Sequence, residues 1–174
     1  MQPDERLVTL ALRGSAEAAD DLVRRHWPAC RRIAYGIVVS ADDADEVAQE
    51  AFARAFASLE TCRDRARFPQ WLHRIAANSA LDRVRSRRPV VEYDDDVEPA
   101  SAPVATELGD VVVEALAALA PERRAVLVLR YWFGYTHEEI AQLLDIPAGT
   151  VGSRVGRGLD DLRRILEVAD VDRR

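Results

Sequence analysis

The chain has 174 residues and a net charge of −6, from 24 basic and 30 acidic residues. All of the basic residues are arginine, which excludes enzymes that depend on a Schiff-base lysine or a Walker-type phosphate lysine. With 48% hydrophobic and 31% charged residues, and only 8 glycines and 8 prolines, the composition predicts a folded protein of one ordinary domain or two small ones.

The sequence contains no apolar run of 18 residues and no basic, apolar leader at its start, so we expect a cytoplasmic protein without membrane insertion. Cys30 and Cys62 form no Cys-x-x-Cys pair, and His26, His73 and His137 show no metal-ligand spacing. We therefore expect no metal site and no cofactor. Packed thiols are the simplest reading of the two cysteines, with a redox switch as the alternative.

Charge is distributed unevenly along the chain. Residues 91–120 hold eight acids and no arginine, whereas residues 63–88 hold eight arginines and two acids. Residues 90–103 combine clustered acids with proline and a serine and have no helical period, which is typical of a linker. We predict two small domains, residues 1–89 and 111–174, joined by an acidic linker at 90–110.

Outside that linker the apolar residues recur with the period of a helix. There is no sustained alternation of apolar and polar residues of the kind that predicts a β-strand, so the predicted fold class is all-α. In the segment after Ser15, a narrow apolar stripe includes Trp27 and Cys30 and continues to Ile37. Pro28 lies inside this stripe, which predicts a kink there or a break between two helices.

Ser40 is a suitable N-cap for the next helix, and five acids follow it within residues 41–50. Acids in the first turns stabilise a helix through its dipole. The same carboxylates and Gln49 also form an exposed face that suits a basic partner, and spacing alone leaves both interpretations open.

The segment 68–88 has Pro69 near its start, which favours a helix. One arc of about 80°, along roughly 21 Å of this helix, carries five residues: Trp71, Arg74, Asn78, Asp82 and Arg85. This face suits single-stranded or melting DNA. Its arginines can bind phosphates, the amide of Asn78 can bind a base edge, and an unstacked base can lie on the indole of Trp71. The alternative is a core tryptophan beside solvated arginines.

In the second domain, Thr136 and Glu139 fit a capping box that opens a short helix. Ala141, Asp145 and Val151 have the spacing of a helix-turn-helix, whose second helix enters a DNA major groove. Residues 121–133 would form one supporting helix. An amphipathic helical hairpin without DNA is the alternative.

Three blocks in this order, residues 43–52, 68–82 and 119–154, give the chain a resemblance to a known family. Over nearly its whole length it resembles a bacterial RNA polymerase sigma factor of the extracytoplasmic-function group, within the sigma-70 family. The blocks are similar to the core-polymerase-binding helix, the promoter-melting helix and the domain that binds the upstream promoter element.

The resemblance implies a non-enzymatic initiation subunit that binds core polymerase, promoter DNA in duplex and melted form, and an anti-sigma factor. Its implied contacts with the polymerase clamp are Asp45, Glu46, Gln49 and Glu50. Its implied contacts with the start-proximal element are Arg63, Arg65, Arg67, Trp71, Arg74, Asn78, Asp82 and Arg85. Its implied contacts with the upstream duplex are Thr150, Ser153, Arg154 and Arg157. The apolar part of 127–133 would seat on the polymerase flap, and the linker would run inside the polymerase.

Some residues depart from the family pattern. Gly152, Gly156 and Gly158 fall in one helix, where each costs up to about 1 kcal/mol relative to alanine. Asp160 and Asp161 are expected to weaken the positive field of that helix. In the loop before the melting helix, Cys62 and Asp64 replace the usual phenylalanine and glycine, which leaves promoter specificity undetermined.

Two other functions compete with this one. A conventional helix-turn-helix regulator would bind a palindromic duplex unaided as a dimer, but it would not require the face from Trp71 to Arg85. A metal-dependent nuclease or transferase could use the acids of 42–50, but no second acidic motif or histidine base accompanies them.

Overall fold

The computed structural model describes the backbone of residues 2–87 and 108–171, and the side chains of residues 2–87 and 112–168. In these ranges the regular secondary structure is helical and no strand forms, so the all-α prediction is confirmed. The linker predicted at 90–110 lies outside the described residues except for its last three, where a helix has already begun at Leu108.

Four helices form the first domain: α1 (Asp4–Leu12), α2 (Ala16–Val38), α3 (Ala41–Ala57) and α4 (Phe68–Arg87). Two single 3₁₀ turns, Leu59–Thr61 and Arg65–Arg67, connect α3 to α4. Helices α2, α3 and α4 pack around fully buried side chains that include Leu22, Ile33, Val47 and Leu72. Cys30 is also fully buried in this core, as its place in the apolar stripe predicts.

Serine side chains fix where α2 and α3 begin. The Ser15 hydroxyl accepts a hydrogen bond from the amide of Ala18 at 3.2 Å, and the Ser40 hydroxyl accepts one from the amide of Asp43 at 3.3 Å. The Ser40 cap agrees with the prediction. Between the two helices, Val39 has a left-handed backbone (φ 56°), which is costly for a β-branched residue and marks the sharp end of α2.

The break considered at Pro28 does not occur, because α2 runs without interruption for 23 residues through that proline. Proline removes one backbone hydrogen bond from a helix interior. Leu22 before it and Ile33 after it are both fully buried in the same core. Burial of such a side chain stabilises by about 1.5–3 kcal/mol, so packing on both sides of Pro28 outweighs the local loss.

The second domain contains α5 (Leu108–Ala118), α6 (Pro121–Leu127), α7 (His137–Leu144) and α8 (Ala148–Val171). Its core includes Leu119, Val126, Ile140 and Val151, all fully buried. The single supporting helix predicted at 121–133 is wrong in one respect: after Leu127 the backbone widens into a π-helical turn, Val128–Trp132. This turn directs Val128 and Trp132 against a glycine of the first domain.

A close helix crossing and a buried ion pair join α6 to α8. A Cβ atom on Gly158 would lie 3.0 Å from Cδ1 of Leu127, so glycine at 158 allows the two helices to approach. Arg123 donates a hydrogen bond from Nη1 to Oδ2 of Asp161 at 2.5 Å, and both side chains are buried. The expected weakness of α8 from Gly158 is therefore offset by packing against α6.

The two domains contact each other directly. Helices α2 and α4 of the first domain pack against α6, its π turn and α7 of the second. The helix backbones approach closely at Gly36 in α2, where an added Cβ atom would lie 2.8 Å from both Cζ3 of Trp132 and Cγ2 of Val128. The guanidinium of Arg32, one helical turn earlier, lies 5.5 Å from the ring centre of Trp132.

His73 in α4 takes part in this contact and is buried. Its Nδ1 shares a hydrogen bond of 2.6 Å with the hydroxyl of Tyr135, and its ring meets Phe133 edge to face at 5.4 Å. Burial, with a smaller contribution from the nearby His26, lowers the pKa of His73 from 6.5 to about 4. The imidazole is therefore neutral at pH 7.

We predict that Asp161→Ala lowers the free energy of unfolding by about 3–5 kcal/mol, because it leaves the charge of Arg123 buried without its partner. Urea unfolding followed by circular dichroism measures this loss. Asp160→Ala is the matched control: Asp160 is exposed and pairs with Arg163 at 3.0 Å, so its loss should cost at most about 1 kcal/mol. Equal effects of the two substitutions would contradict the structural role of the buried pair.

We also predict that stability falls as the pH is lowered from 6.5 towards 4, because in this window the unfolded chain binds a proton at His73 that the folded chain does not. The slope from one such group is at most about 1.4 kcal/mol per pH unit, and above pH 6.5 it vanishes. The comparison is wild type against His73→Gln, by urea unfolding at several pH values. Parallel pH profiles for the two proteins would refute the assignment.

Candidate polymerase and nucleic-acid interfaces

The four residues predicted to face the polymerase clamp lie on the solvent side of α3, opposite its buried residues: Asp45, Glu46, Gln49 and Glu50. Asp45 accepts a hydrogen bond from Arg31 at 2.6 Å, and Glu50 accepts one from Arg54 at 2.5 Å. Glu46 pairs with Arg83 of α4. Exposed ion pairs of this kind contribute about 0–1 kcal/mol each, so a basic partner can replace the arginines at little cost.

Asp43 differs from these acids because it is buried at the start of α3. It accepts hydrogen bonds from both terminal nitrogens of Arg87, one of them at 2.5 Å. Burial opposes its ionisation, but the hydrogen bonds from Arg87 and Ser40 outweigh this and lower the pKa of Asp43. Asp43 therefore ties the start of α3 to the end of α4, and its role is structural.

Four of the residues predicted to bind a melted strand line one cleft beside α4: Arg63, Arg67, Trp71 and Arg74. Arg63, Arg67 and Arg74 are exposed, whereas Trp71 is half-buried and packs on Phe68 at 5.9 Å between ring centres. Cys62 forms part of the cleft floor, and burial together with the Asp64 carboxylate raises its pKa, so the thiol stays protonated. The cleft thus combines three cations with one aromatic face.

The opposite wall of this cleft belongs to the second domain, which the sequence analysis did not anticipate. Its lining residues are Tyr135, Glu139, Gln142 and Leu143. They precede or belong to α7, and their helical pattern gives no signal that they would meet α4. Contacts between distant segments of this kind do not appear in local periodicity.

Asn78, the predicted base reader, lies farther along α4 and is half-buried. Its Nδ2 donates two hydrogen bonds, one to the carbonyl of Arg74 at 2.8 Å and one to the carbonyl of Leu143 at 3.0 Å. A side-chain amide has two donor hydrogens. Both donors of Asn78 are therefore already used, one of them by the second domain.

The other three predicted strand contacts lie outside the cleft. Arg65 reaches back to α1 and donates to the Thr9 hydroxyl at 2.8 Å. Asp82 is 3.9 Å from Arg54 and 3.8 Å from Arg85. Arg85 donates to the buried carboxylate of Glu122 in α6, at 3.1 Å from Nη2. The structure thus divides the predicted face into a cleft and a set of paired side chains.

The helix-turn-helix geometry agrees with the prediction. The Thr136 hydroxyl accepts from the amide of Glu139 at 3.2 Å, and the Glu139 carboxylate accepts from the amide of Thr136 at 2.8 Å, which completes the capping box. Asp145 then turns the chain in a left-handed conformation (φ 55°). Ile140 and Val151 are fully buried where α7 and α8 meet.

The residues predicted to face an upstream duplex lie in the first turns of α8: Thr150, Ser153, Arg154 and Arg157. Ser153 and Arg157 are exposed, and the Ser153 hydroxyl donates to the carbonyl of Thr150 at 3.0 Å. A Cβ atom on Gly156 would meet nothing within 4 Å. Asp161 is buried between Arg123 and Arg164, and Asp160 is exposed and pairs with Arg163, so the expected weakening of the positive field by these two acids stays a prediction.

An apolar groove runs along the second domain between α5, the π turn and the later part of α8. Its lining includes Val112, Leu127, Tyr131, Leu159 and Leu166. Tyr131 is 60% exposed and Val112 is 48% exposed, so the groove continues into an exposed apolar patch. Phe133, which the sequence analysis grouped with this segment, instead packs on His73 in the domain contact.

No group of histidine, cysteine, aspartate or glutamate side chains with the arrangement of a metal site occurs within residues 2–87 and 112–168. Among the helices that the structure describes, none has the length and apolar character of a membrane span.

Comparisons with known proteins agree with this geometry. Residues 22–90 match the family model for sigma-70 region 2, and residues 110–162 match the model for sigma-70 region 4. The chain is 30% identical over 171 residues to the ECF RNA polymerase sigma factor SigW of Bacillus subtilis, which covers 88% of this chain and 91% of that protein. It is 33% identical over 165 residues to SigM of Mycobacterium tuberculosis, covering 94% and 84%.

The fold is also similar to that of solved structures. CnrH, solved in complex with the cytosolic domain of CnrY, superposes with a TM-score of 0.69 at 27% identity, covering 96% of this chain and 99% of that one. The fold of the sigma factor RpoE, solved with the anti-sigma factor NepR from Bartonella quintana, is also similar (TM-score 0.66, 24% identity, 86% and 96% covered). With both sigma-70 regions in order and relatives at 30% identity or more over most of its length, this chain belongs to the ECF sigma factors of the sigma-70 family.

Proposed function

We propose that this chain acts in the cytoplasm as a dissociable initiation subunit, which binds core RNA polymerase and directs promoter recognition and DNA melting. Its role is binding and not catalysis. The observation that carries this proposal is the cleft beside α4, where Arg63, Arg67 and Arg74 surround the half-buried indole of Trp71. A chain that also holds a helix-turn-helix has one surface for an unpaired strand and another for a duplex.

The acidic side of α3 docks on the polymerase clamp in this proposal. Asp45, Glu46 and Glu50 are ion-paired in the free chain with arginines of α2, α3 and α4, and Gln49 is exposed beside them. A basic polymerase surface would take over these carboxylates. Exposed ion pairs formed in this way orient the chain on its partner and make the binding specific, and they add little to the affinity.

The cleft captures the non-template strand of the start-proximal element. Extruding a base from a duplex costs a few kcal/mol, and stacking on an aromatic side chain offsets about 1–3 kcal/mol per base. Trp71 supplies the stacking surface, the arginines neutralise phosphates, and Asn78 reads a base edge once its amide is free. Arg65, Asp82 and Arg85 support this surface from its margins.

The start of α8 binds the upstream duplex element. Thr150, Ser153, Arg154 and Arg157 lie within two turns of one helix, and an α-helix of this kind fits the major groove. The open space above Gly156 lets the helix backbone approach the DNA.

The apolar groove of the second domain seats on the polymerase flap. Exposed apolar side chains such as Tyr131, Val112 and Leu166 form a continuous patch with the groove, and patches of this kind mark protein contacts. An anti-sigma factor that covers these polymerase-binding surfaces would keep the subunit inactive, as the pairing of the related RpoE with NepR suggests. The boundaries 1–89, 90–110 and 111–174 remain our proposed division, with the linker inside the polymerase.

We predict that the free chain binds duplex promoter DNA poorly and that adding core polymerase produces binding. The reason is that its net charge is −6 and that nonspecific affinity requires a broad positive field. A gel-shift titration of the chain alone, of core enzyme alone and of the two together measures this. Tight, salt-sensitive binding by the free chain would refute the prediction.

We predict different defects for two substitutions in reconstituted polymerase. Asn78→Ala should reduce open-complex formation about tenfold, because one base contact is worth about 1–3 kcal/mol. Arg154→Ala should weaken binding to templates that carry the upstream element and have less effect on templates melted in advance. Permanganate footprinting and transcript yield measure the two defects.

The matched control for this prediction is Arg13→Ala, which removes the charge of an exposed arginine in the turn after α1. It should behave as wild type on every template. If Asn78→Ala and Arg154→Ala also behaved as wild type, both assignments would be wrong.

A further inference from the structure

The segment that joins α3 to α4 has little regular structure of its own. It consists of the two single 3₁₀ turns, Leu59–Thr61 and Arg65–Arg67, and the residues between them. Hydrogen bonds in 3₁₀ turns have poorer geometry than those of an α-helix. The Asp64 carboxylate caps the second turn by accepting a hydrogen bond from the amide of Ala66 at 3.2 Å. A loop of this kind needs contacts with the rest of the fold to keep one conformation.

Two side chains attach this loop to the first domain. Cys62 is 3% exposed and packs in the core. Arg65 is half-buried and reaches α1, where its Nη1 donates a hydrogen bond to the Thr9 hydroxyl at 2.8 Å. Arg63 and Arg67, two positions before and after Arg65, are exposed and line the cleft beside α4. The loop therefore holds one arginine against α1 and presents the other two to the cleft.

Thr9 is oriented to accept this hydrogen bond. Its hydroxyl donates its single hydrogen to the carbonyl of Glu5, one turn earlier in α1, at 2.8 Å. A hydroxyl has one donor hydrogen and two acceptor lone pairs, so the lone pairs are left for Arg65. A charged donor makes a stronger hydrogen bond than a neutral one. The contact is therefore directional, and valine, which has nearly the same shape as threonine, cannot form it.

Helix α1 is itself firmly attached, so it can support the loop. It packs on α2 and on the turn Arg65–Arg67, and its Leu7 and Val8 are 1% and 0% exposed. At the start of α1, Asp4 forms an ion pair with Arg25 of α2. Binding groups supported by packed helices are held more precisely than groups on a free loop. The hydrogen bond to Thr9 extends this support to the loop.

We propose that Arg65 is a positioning residue for the strand-binding cleft and does not itself contact DNA. Its hydrogen bond to Thr9 fixes the loop 62–67 on α1. Arg63 and Arg67 then meet the phosphates of the melted strand in one arrangement. A loop that is ordered in advance favours the strand that fits it, because no ordering cost opposes binding. This inference rests on the proposed function, and it makes α1 part of the structure that selects the start-proximal sequence.

The test reconstitutes polymerase from purified core enzyme with wild type, Thr9→Val or Thr9→Ser. The probe is a pool of DNA duplexes that carry a short, randomised unpaired segment, and the bound fraction is sequenced. Wild type should enrich a narrow set of sequences and Thr9→Val a broader one. For the leading wild-type sequence, fluorescence anisotropy should show an affinity about three- to tenfold lower with Thr9→Val, the factor that one hydrogen bond supports. Thr9→Ser keeps the acceptor and should match wild type.

Thr61→Val is the matched control, because it makes the same change at an exposed hydroxyl that bonds within its own turn, to the carbonyl of Ser58 at 2.7 Å. It should leave the selected sequences and the affinity at wild-type values. A double-mutant cycle then tests how Arg65 acts. If Arg65 works through Thr9, the variant with both Arg65→Leu and Thr9→Val should bind no more weakly than Arg65→Leu alone.

Three results would overturn the proposal. Thr9→Val could select the same sequences with the same affinity as wild type, or Thr9→Ser could fail to restore what Thr9→Val loses. The losses from Arg65→Leu and Thr9→Val could also be additive, with a salt slope lowered by about one in Arg65→Leu, as a direct phosphate contact requires. Failure of the proposed function would differ from all three, because polymerase with wild type would then enrich no sequence beyond those that core enzyme enriches alone.

Discussion

The approach of α2 to the π turn of α6, made possible by Gly36, determines how the rest of the molecule is arranged. It places Trp132 and Val128 against a helix backbone, and it brings His73 within 2.6 Å of Tyr135. With the helices held at that separation, α7 lies beside α4 and closes the cleft. The surfaces that would meet DNA are therefore positioned by a contact between domains as much as by the domains themselves.

The chain is acidic overall, and ion pairs neutralise several of its arginines. The arginines Arg31, Arg54, Arg83 and Arg87 are all paired with carboxylates of α3. Their fields are largely cancelled in the free chain. None of these four arginines lines the cleft at Trp71, whose cations are Arg63, Arg67 and Arg74.

Local features of the fold could be predicted from the sequence, because their causes are local. The Ser40 cap, the Thr136–Glu139 capping box and the position of the turn at Asp145 depend on residues within four positions of one another. The continuous helix through Pro28 and the π turn at Val128 could not, because tertiary packing decides both. The candidate site shows the same division: helical spacing placed Trp71 and Arg74 on one face, but nothing local indicated that Leu143 would bind Asn78.

The central proposal is that this chain docks on core RNA polymerase through the acidic side of α3. The most direct measurement is the affinity for purified core enzyme of wild type and of Glu46→Arg, which reverses one exposed charge on that side. Wild type should bind, and the reversed charge should weaken binding at least about tenfold, because like charges that meet across an interface are costly. Equal affinities of the two proteins would contradict the proposal.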